Sequence, residues 1–465
     1  MKTAIIASCL AAKPASSAES FTVNDVTMLD PVEVRRIVTP RTTEEIRQSV
    51  NGWPGPISVG GARYSMGGQI AEENSLHFDM RSFNRLVWLN PARQAVRVQT
   101  GMTWRELQNL IDLHDLSAKI MQSYANFTIG GALSVNAHGR YVGLGPVINS
   151  VRRIQIVSAS GVLTEASRTE NPEIFRGAIG GYGALGVVTE VELDLVPNVR
   201  MERHIKRLSV DEYRNFFAMD VLADPGAVMH NADFDLPAFD KLTAVTWLKT
   251  DKPVTVVERL TPAGASDVLE ALGVWSLSHV PDASLIRRTL VEPVEYAGRP
   301  VVWRNHEASI DVASLGRLAT KQGVYALQEY FIPNVNFSNF AVQMSRILSA
   351  NDVQALNVSV RHSPADQDSI MSWCRREVFS FVLYYYQHRS QEAQKKAGDW
   401  TRELIEAALS LGGTYYLPYQ LHASHGQFNR AYPAVAQLFS VKSKFDPRGQ
   451  FQNKLWDKYG PMAAP

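Results

Sequence analysis

Between residues 42 and 200 the chain alternates short amphipathic stretches with runs in which apolar and polar side chains take turns. Thr42-Thr43-Glu44-Glu45-Ile46 reads as a helix start, with carboxylates in the first turn where the helix dipole favours them. Pro56-Ile57-Ser58-Val59 is a short strand running into Gly60-Gly61, and Ala95-Val96-Arg97-Val98-Gln99 has the period of two of a half-buried strand. Thr103 and Glu106 stand in capping-box spacing and predict a second helix start. Residues 151–158 and 187–195 are β-rich. From about residue 200 the texture changes. Amphipathic segments lengthen (211–219, 266–272, 336–348, 390–411) and are separated by aromatic-rich strands at 324–332 and 379–386. Helices and strands mix without strict βαβ alternation, which predicts an α+β fold with an antiparallel sheet carrying helices on one face. The stretch 445–456 is turn-rich and ends in a short aromatic run.

The chain has 465 residues, more than the roughly 250–300 that one core supports, so two domains are expected. Lys and Arg number 47 against 46 Asp and Glu. With no long Lys/Arg block, nucleic acid and anionic membrane are poor partners. Two cysteines, Cys9 and Cys374, exclude a disulfide scaffold and a multi-cysteine metal site. No apolar run reaches the roughly 18 residues a membrane span needs. Lys2, a short apolar stretch and the small residues Ser16 and Ala18 resemble a secretory leader, while Lys13 and the brevity of the apolar core read equally as a plain tail. Cytoplasmic and exported locations both stay open.

Three glycine-rich stretches carry the candidate chemistry. Gly181-Tyr182-Gly183-Ala184-Leu185-Gly186 satisfies the dinucleotide fingerprint, but it runs straight into an alternating strand rather than a helix, so a Rossmann reading fails. Gly60 to Gly68 follows a strand and is dense in small residues, so its backbone N–H groups can cradle an anion; a tight surface turn explains it as well. Thr128-Ile129-Gly130-Gly131-Ala132-Leu133-Ser134-Val135-Asn136-Ala137-His138-Gly139 is more specific. Its glycines allow close backbone approach to a ligand, and Thr128, Ser134, Asn136 and His138 offer hydrogen bonds.

The order of these loops, the Gly-x-x-Gly-Val-Val-Thr strand and the closing Phe445-Asp446-Pro447 to Asn453 resemble the FAD-linked oxidases of the vanillyl-alcohol oxidase / p-cresol methylhydroxylase superfamily. The likeness spans about residues 35–197 and 440–456. Within that superfamily the chain looks most similar to sugar-lactone and alditol oxidases and to decaprenylphosphoryl-ribose oxidase. The resemblance implies an N-terminal tail (1–34), a two-part FAD-binding domain (35–197, with a return at 440–465) and a cap domain (198–439) whose antiparallel sheet covers the flavin. It places Gly60, Gly61, Ala62, Arg63, Tyr64, Ser65, Asn126, Thr128, Gly130, Gly131, Asn136, His138 and Gly139 around the pyrophosphate and flavin. Gly186 and Val187 fall near the adenosine half, and Asn453 on the C-terminal return. Many relatives carry a histidine in the first loop that bonds covalently to the flavin; here Tyr64 stands there, which implies noncovalent FAD.

Oxidation of an alcohol at a flavin needs an oriented C–H bond and a group that accepts the hydroxyl proton. Alternation puts Ser359 and Arg361 on one face of a strand. The resemblance makes Arg361 a substrate contact, with Ser359 standing where relatives have a glutamate. Glu329, Tyr416, Tyr419 and Arg140 complete the candidate catalytic set, each with an ordinary core or surface role as the alternative. The implied function is FAD-dependent oxidation of a CH–OH group on a sugar, sugar derivative or polyol. A phenolic or amine substrate, or a flavin subunit of a two-component epimerase, are the competing readings. The acceptor is O₂ or a quinone. In lactone-oxidising relatives a residue shortly before Thr-x-Gly-Gly controls oxygen access; the resemblance matches it to Asn126, which leans toward slow reaction with O₂.

Overall fold

The computed structural model describes residues 20–262, 296–311 and 323–461. Residues 1–19, with Cys9, and the segment 266–272 lie outside the described residues; the remainder of the expected tail, 20–34, carries two paired strands instead. Strands Phe21–Val23 (β1) and Val32–Val34 (β2) pair antiparallel. Arg36–Val38 (β3), Ile57–Gly60 (β4) and Leu76–Asp79 (β5) form a small parallel sheet with β5 in the middle. A second sheet holds Leu86–Asn90 (β6), Ala95–Gln99 (β7), Leu116–Ala118 (β8), Val151–Val157 (β9), Leu163–Ser167 (β10) and Val187–Pro197 (β11). Its order is β10-β9-β11-β7-β6, with β8 beside the far end of β11. β11 alternates buried and half-exposed residues along its length, as a strand with one face on the core must.

Local signals explain the helices of this half. Thr42 caps helix Thr43–Asn51 by accepting from the Glu45 N–H. Thr103 and Glu106 form both bonds of a capping box ahead of helix Trp104–Ile111. The stretch from Thr128, which reads as a loop, instead opens with helix Ile129–Ser134 under a Thr128 cap. Glycine disfavours helix, but at Gly130 a Cβ would lie 2.9 Å from Thr100 Cβ, so packing selects glycine there. Gly186 has φ +147°, and a Cβ there would lie 2.3 Å from the Val157 carbonyl oxygen. The Gly181–Gly186 run therefore enters β11 directly.

The larger sheet contains Arg200–Ser209 (β12), Ala227–Phe234 (β13), Lys241–Lys249 (β14), Val301–Trp303 (β15), Gly323–Pro333 (β16), Ala355–Ser363 (β17), Val378–His388 (β18) and Thr414–Tyr415 (β19). The order is β15-β12-β14-β13-β17-β18-β16-β19, antiparallel throughout. Helices Phe337–Ala350 and Gln391–Ser410 cover one face: Phe340 packs on Tyr330 and Phe381, and Trp400 on Tyr385. The segment 211–219 is helical over Val210–Phe216 and continues as a wider π-helical turn through Leu222.

The C-terminal stretch returns to the first half. After helix Val435–Phe445, Phe451 bridges Ile57 of β4, and the closing aromatic run is a helix, Lys454–Tyr459. Lys442 pins this return. Its buried ammonium donates to Asp446 Oδ2 (2.6 Å), the Ala184 carbonyl (2.9 Å) and the Phe451 carbonyl (2.8 Å). Burial lowers the ammonium's pKa, and Asp446 works against that shift. Asp446 also accepts from the Gln450 and Phe451 N–H groups. Asp446→Ala leaves a buried charge without its counterion, so equilibrium denaturation is expected to show a loss on the order of 3–5 kcal/mol; an unchanged unfolding midpoint would contradict this.

Candidate active site

A cleft runs between β4 and the segment that begins at Thr128. Gly60, Gly61 and Ser65 line one wall, Thr128, Gly130, Gly131 and Ser134 another, and Gly183, Gly186 and Asn453 a third. The walls approach so closely that side chains do not fit between them. A Cβ on Gly61 would stand 2.1 Å from Thr128 Oγ1. A long crevice walled by backbone and short hydroxyls suits a phosphorylated, extended ligand. Asn453 holds its rim, donating to the Tyr182 carbonyl (2.7 Å) and capping the final helix.

The other candidate cofactor residues do not line this cleft. Ala62 is half-buried at the turn. Arg63 takes φ +65° and bonds Asp79 Oδ2 at 3.1 Å. Burial opposes the Asp79 charge, yet Arg81 and Arg63 hold that carboxyl below its usual range. Tyr64 stacks on Phe127 with ring centroids 4.3 Å apart. Asn126 gives its amide to Asp311 Oδ1. Asn136 is fully buried and spends its groups internally, on Asp366 (2.9 Å), Ser369 (3.3 Å), the Ile148 N–H (3.2 Å) and Trp373 Nε1 (3.0 Å). Val187 faces the core. Gly139 passes so near Met121 that a Cβ would meet its carbonyl oxygen at 2.1 Å.

His138 and Glu329 meet in the interior, on the side of the larger sheet that carries no helices. His138 Nε2 and Glu329 Oε1 are 2.6 Å apart, and both side chains are almost fully buried. The second carboxylate oxygen accepts from the Tyr419 hydroxyl at 3.3 Å. Burial pushes against ionisation of Glu329, but His138 and then Arg361 and Ser380 hold its pKa below the usual value. Glu329 is therefore an anion at neutral pH, and the pair's contribution to stability fades only as pH falls below the carboxyl's ordinary range. Tyr419 is displaced the other way, well above 10, by burial and by Glu329 beside it. It acts as a donor. His138 Nδ1 is buried with no hydrogen-bond partner, and the ring rests on Trp373 at 4.8 Å and Phe331 at 5.6 Å.

The first glycine loop fixes the Tyr416–Tyr419 segment. Met66 N–H donates to the Pro418 carbonyl (2.8 Å), and Gln69 Nε2 to the Leu417 and Tyr419 carbonyls (2.7 Å each). Tyr416 donates its hydroxyl to the Val135 carbonyl at 2.9 Å. Arg361 projects from β17 on the face of Glu329, its Nε buried without a hydrogen bond. Arg140 is bound to Glu307 (2.6 Å to Oε1) and to Asn231 Oδ1 (3.4 Å), so its charge ties the segment after His138 to the sheet. Glu307 and Asp366 carry no local sequence signal, because each works through a partner more than 160 residues away. For Asn231 and Asp233 the signal in the sequence is polarity at every second position of a strand.

Comparison with known proteins places these features. Residues 34–167 match the FAD binding domain family. L-Gulonolactone oxidase of Scyliorhinus torazame is 23% identical over 435 residues, covering 90% of this chain and 93% of that one. The Bos taurus L-gulonolactone oxidase is 21% identical, covering 84% and 86%. An alditol oxidase of Streptomyces is 33% identical over 112 residues, covering 24% and 26%. Residues 34–167 form a FAD-binding domain of the p-cresol methylhydroxylase type, and the chain is a FAD-dependent oxidoreductase.

For this flavoenzyme the cleft residues fit FAD, because both glycine loops present backbone where a dinucleotide needs it. Gly61→Ala drives a methyl group into Thr128 and narrows that passage. The variant is expected to purify with FAD affinity lowered at least tenfold, read from the ratio of flavin to protein absorbance and from FAD titration of the apoprotein. Full flavin occupancy at wild-type affinity would show that the loops do not grip the cofactor there.

Proposed function

We propose that this flavoenzyme oxidises a CH–OH group on a sugar, sugar derivative or polyol, with residues 198–439 acting as the cap over the flavin. The observation that carries the reading is the buried chain His138–Glu329–Tyr419. It joins the second glycine stretch to the inward face of the larger sheet, where a substrate between cofactor and cap would lie. The names of the similar proteins, L-gulonolactone oxidase and alditol oxidase, point to the same substrate class. FAD supplies a hydride acceptor for the carbon being oxidised. The protein must then take the proton that leaves the hydroxyl.

The Glu329–His138 dyad is built for that task. An ionised Glu329 favours the tautomer with hydrogen on Nε2, which leaves Nδ1 as a bare acceptor. Glu329 then stabilises the imidazolium that forms when Nδ1 takes the proton. Tyr419 cannot be the base at neutral pH, because burial and the neighbouring carboxylate keep its hydroxyl protonated. Arg361, on the same face, orients oxygen atoms of the substrate. A phenolic substrate is disfavoured, since Tyr416 and Tyr419 spend their hydroxyls on Val135 and Glu329.

Anaerobic mixing with a panel of polyols, sugar lactones, phenols and amines tests the reading. Sugar-like compounds are expected to bleach the flavin. Glu329→Gln, which keeps the shape and loses the charge, is expected to slow bleaching roughly 10²- to 10⁴-fold, the range for a lost proton-transfer group. Arg361→Ala should retain FAD and slow bleaching by about tenfold or more, about 1.4 kcal/mol of transition-state stabilisation. Bleaching by phenols or amines alone would overturn the substrate class, and wild-type rates in Glu329→Gln would overturn the dyad.

Tyr64 in the place of a linking histidine supports noncovalent FAD. Acid precipitation is expected to release intact FAD into the supernatant; flavin retained in the pellet would mean that another residue bonds to it.

A further inference from the structure

The larger sheet turns a patterned polar surface toward the cofactor side. On β13 and β17 the side chains on that face are Asn231, Asp233, Asn357, Ser359 and Arg361, all half-exposed. The residues between them, Ala232, Phe234, Val358 and Val360, are buried. Strand register sets Asp233, Ser359, Val382 and Glu329 in one line across four strands. At ordinary strand spacing that line is about 14 Å long. One end is the carboxylate that meets His138. The other is tied to the same stretch of chain, because Arg140, two residues after His138, bonds Asn231. The surface is therefore the roof of the site rather than an outer face.

Asp233 is held in place. Its Oδ1 accepts from Asn357 Nδ2 at 3.0 Å and its Oδ2 from Asn231 Nδ2 at 3.2 Å. Each oxygen keeps a lone pair for another donor. Two positions beyond Ser359, on the same face of β17, stands Arg361 with its Nε buried and without a hydrogen bond. An anchored acceptor and a guanidinium thus flank Ser359, whose short side chain fills little of the distance between them. Neighbouring hydroxyls on a carbon chain match that arrangement: one donates to the carboxylate, the oxygen of the next accepts from the guanidinium.

We propose that Asp233 and Arg361 clamp a vicinal diol of the substrate, and that Asp233, at the end of the line away from Glu329, is the specificity-determining residue that admits neutral polyhydroxylated substrates and disfavours sugar acids. The clamp rests on the sugar-like reading of the substrate. It deepens that reading by naming the charge of the substrate and the part that is recognised.

The test compares wild type with Asp233→Asn and Asp233→Ala as FAD-loaded proteins. Five- and six-carbon polyols, their lactones, the matching sugar acids and analogues lacking one hydroxyl of the diol are mixed anaerobically with each. Half-saturating concentrations and limiting rates of flavin reduction are recorded, and thermal stabilisation by each compound gives a binding readout that needs no turnover. Asp233→Asn is expected to raise the half-saturating concentration of neutral substrates roughly tenfold or more, the scale of a lost hydrogen bond to a charged group. The cost should fall on half-saturation more than on the limiting rate, sugar acids should gain relative to polyols, and the deoxy analogue should be insensitive to the substitution. Half-saturation and thermal shifts that stay within twofold of wild type would overturn the clamp. A wild-type preference for sugar acids would show that Arg361 alone sets the charge selection, which overturns the role of Asp233. Flavin that no sugar derivative reduces in wild type would instead overturn the sugar-like reading, and the clamp with it.

Discussion

Glu329 is a carboxylate held as an anion in the interior, and a buried anion is tolerated only when partners replace the water it has lost. His138 and Tyr419 are those partners, and they come from opposite ends of the chain. Satisfying this one charge fixes three pieces at once: the second glycine stretch, strand β16 of the larger sheet and the segment after β19. Trp373 and Phe331 seal the same spot by packing on the imidazole. The register of the sheet over the site follows from that contact, because moving β16 by one residue would turn Glu329 to the helix-covered face.

The cofactor cleft answers to a different constraint. It exists because two stretches of backbone come nearer than any side chain permits, as at Gly61 against Thr128. Such an approach needs support from behind. The C-terminal return supplies it, with Phe451 bridged to Ile57 and Lys442 gathering carbonyls from both sides of the junction. The first loop in turn positions Tyr416 and Tyr419 through Gln69 and Met66. The glycine-walled cleft and the Tyr416–Tyr419 segment are thus parts of one hydrogen-bonded assembly.

Charges on the inward face are divided between closed and open groups. Arg140 with Glu307, and Arg63 with Asp79, are neutralised within the protein and serve as ties. Arg361 Nε has no hydrogen bond, and Glu329 has an imidazole beside it whose second nitrogen is unengaged. Capacity left over inside a site is where a ligand finds its contacts.

Much of this was legible in the sequence where the controlling physics is local. Thr103 and Glu106 sit three residues apart and make their capping box whatever surrounds them. The alternating runs at 95–99 and 187–195 and the β-rich run at 151–158 appear as strands because alternation and β-propensity act locally on the backbone. The fingerprint at Gly181–Gly186 could be set aside from its own neighbours. Helix Ile129–Ser134 was not legible, since its glycines disfavour helix and only the contact with Thr100 requires them. Asn136 and His138 look alike in sequence, two polar residues in one small-residue stretch. Folding spends the first on Asp366, Ser369 and Trp373 and sets the second against Glu329, 191 residues away. The sequence by itself determined the elements and the glycine loops, because propensity, capping and alternation act over a few residues. Only the tertiary structure decided which polar groups are consumed and which stay available, because hydrogen-bond satisfaction in the interior is settled between distant segments.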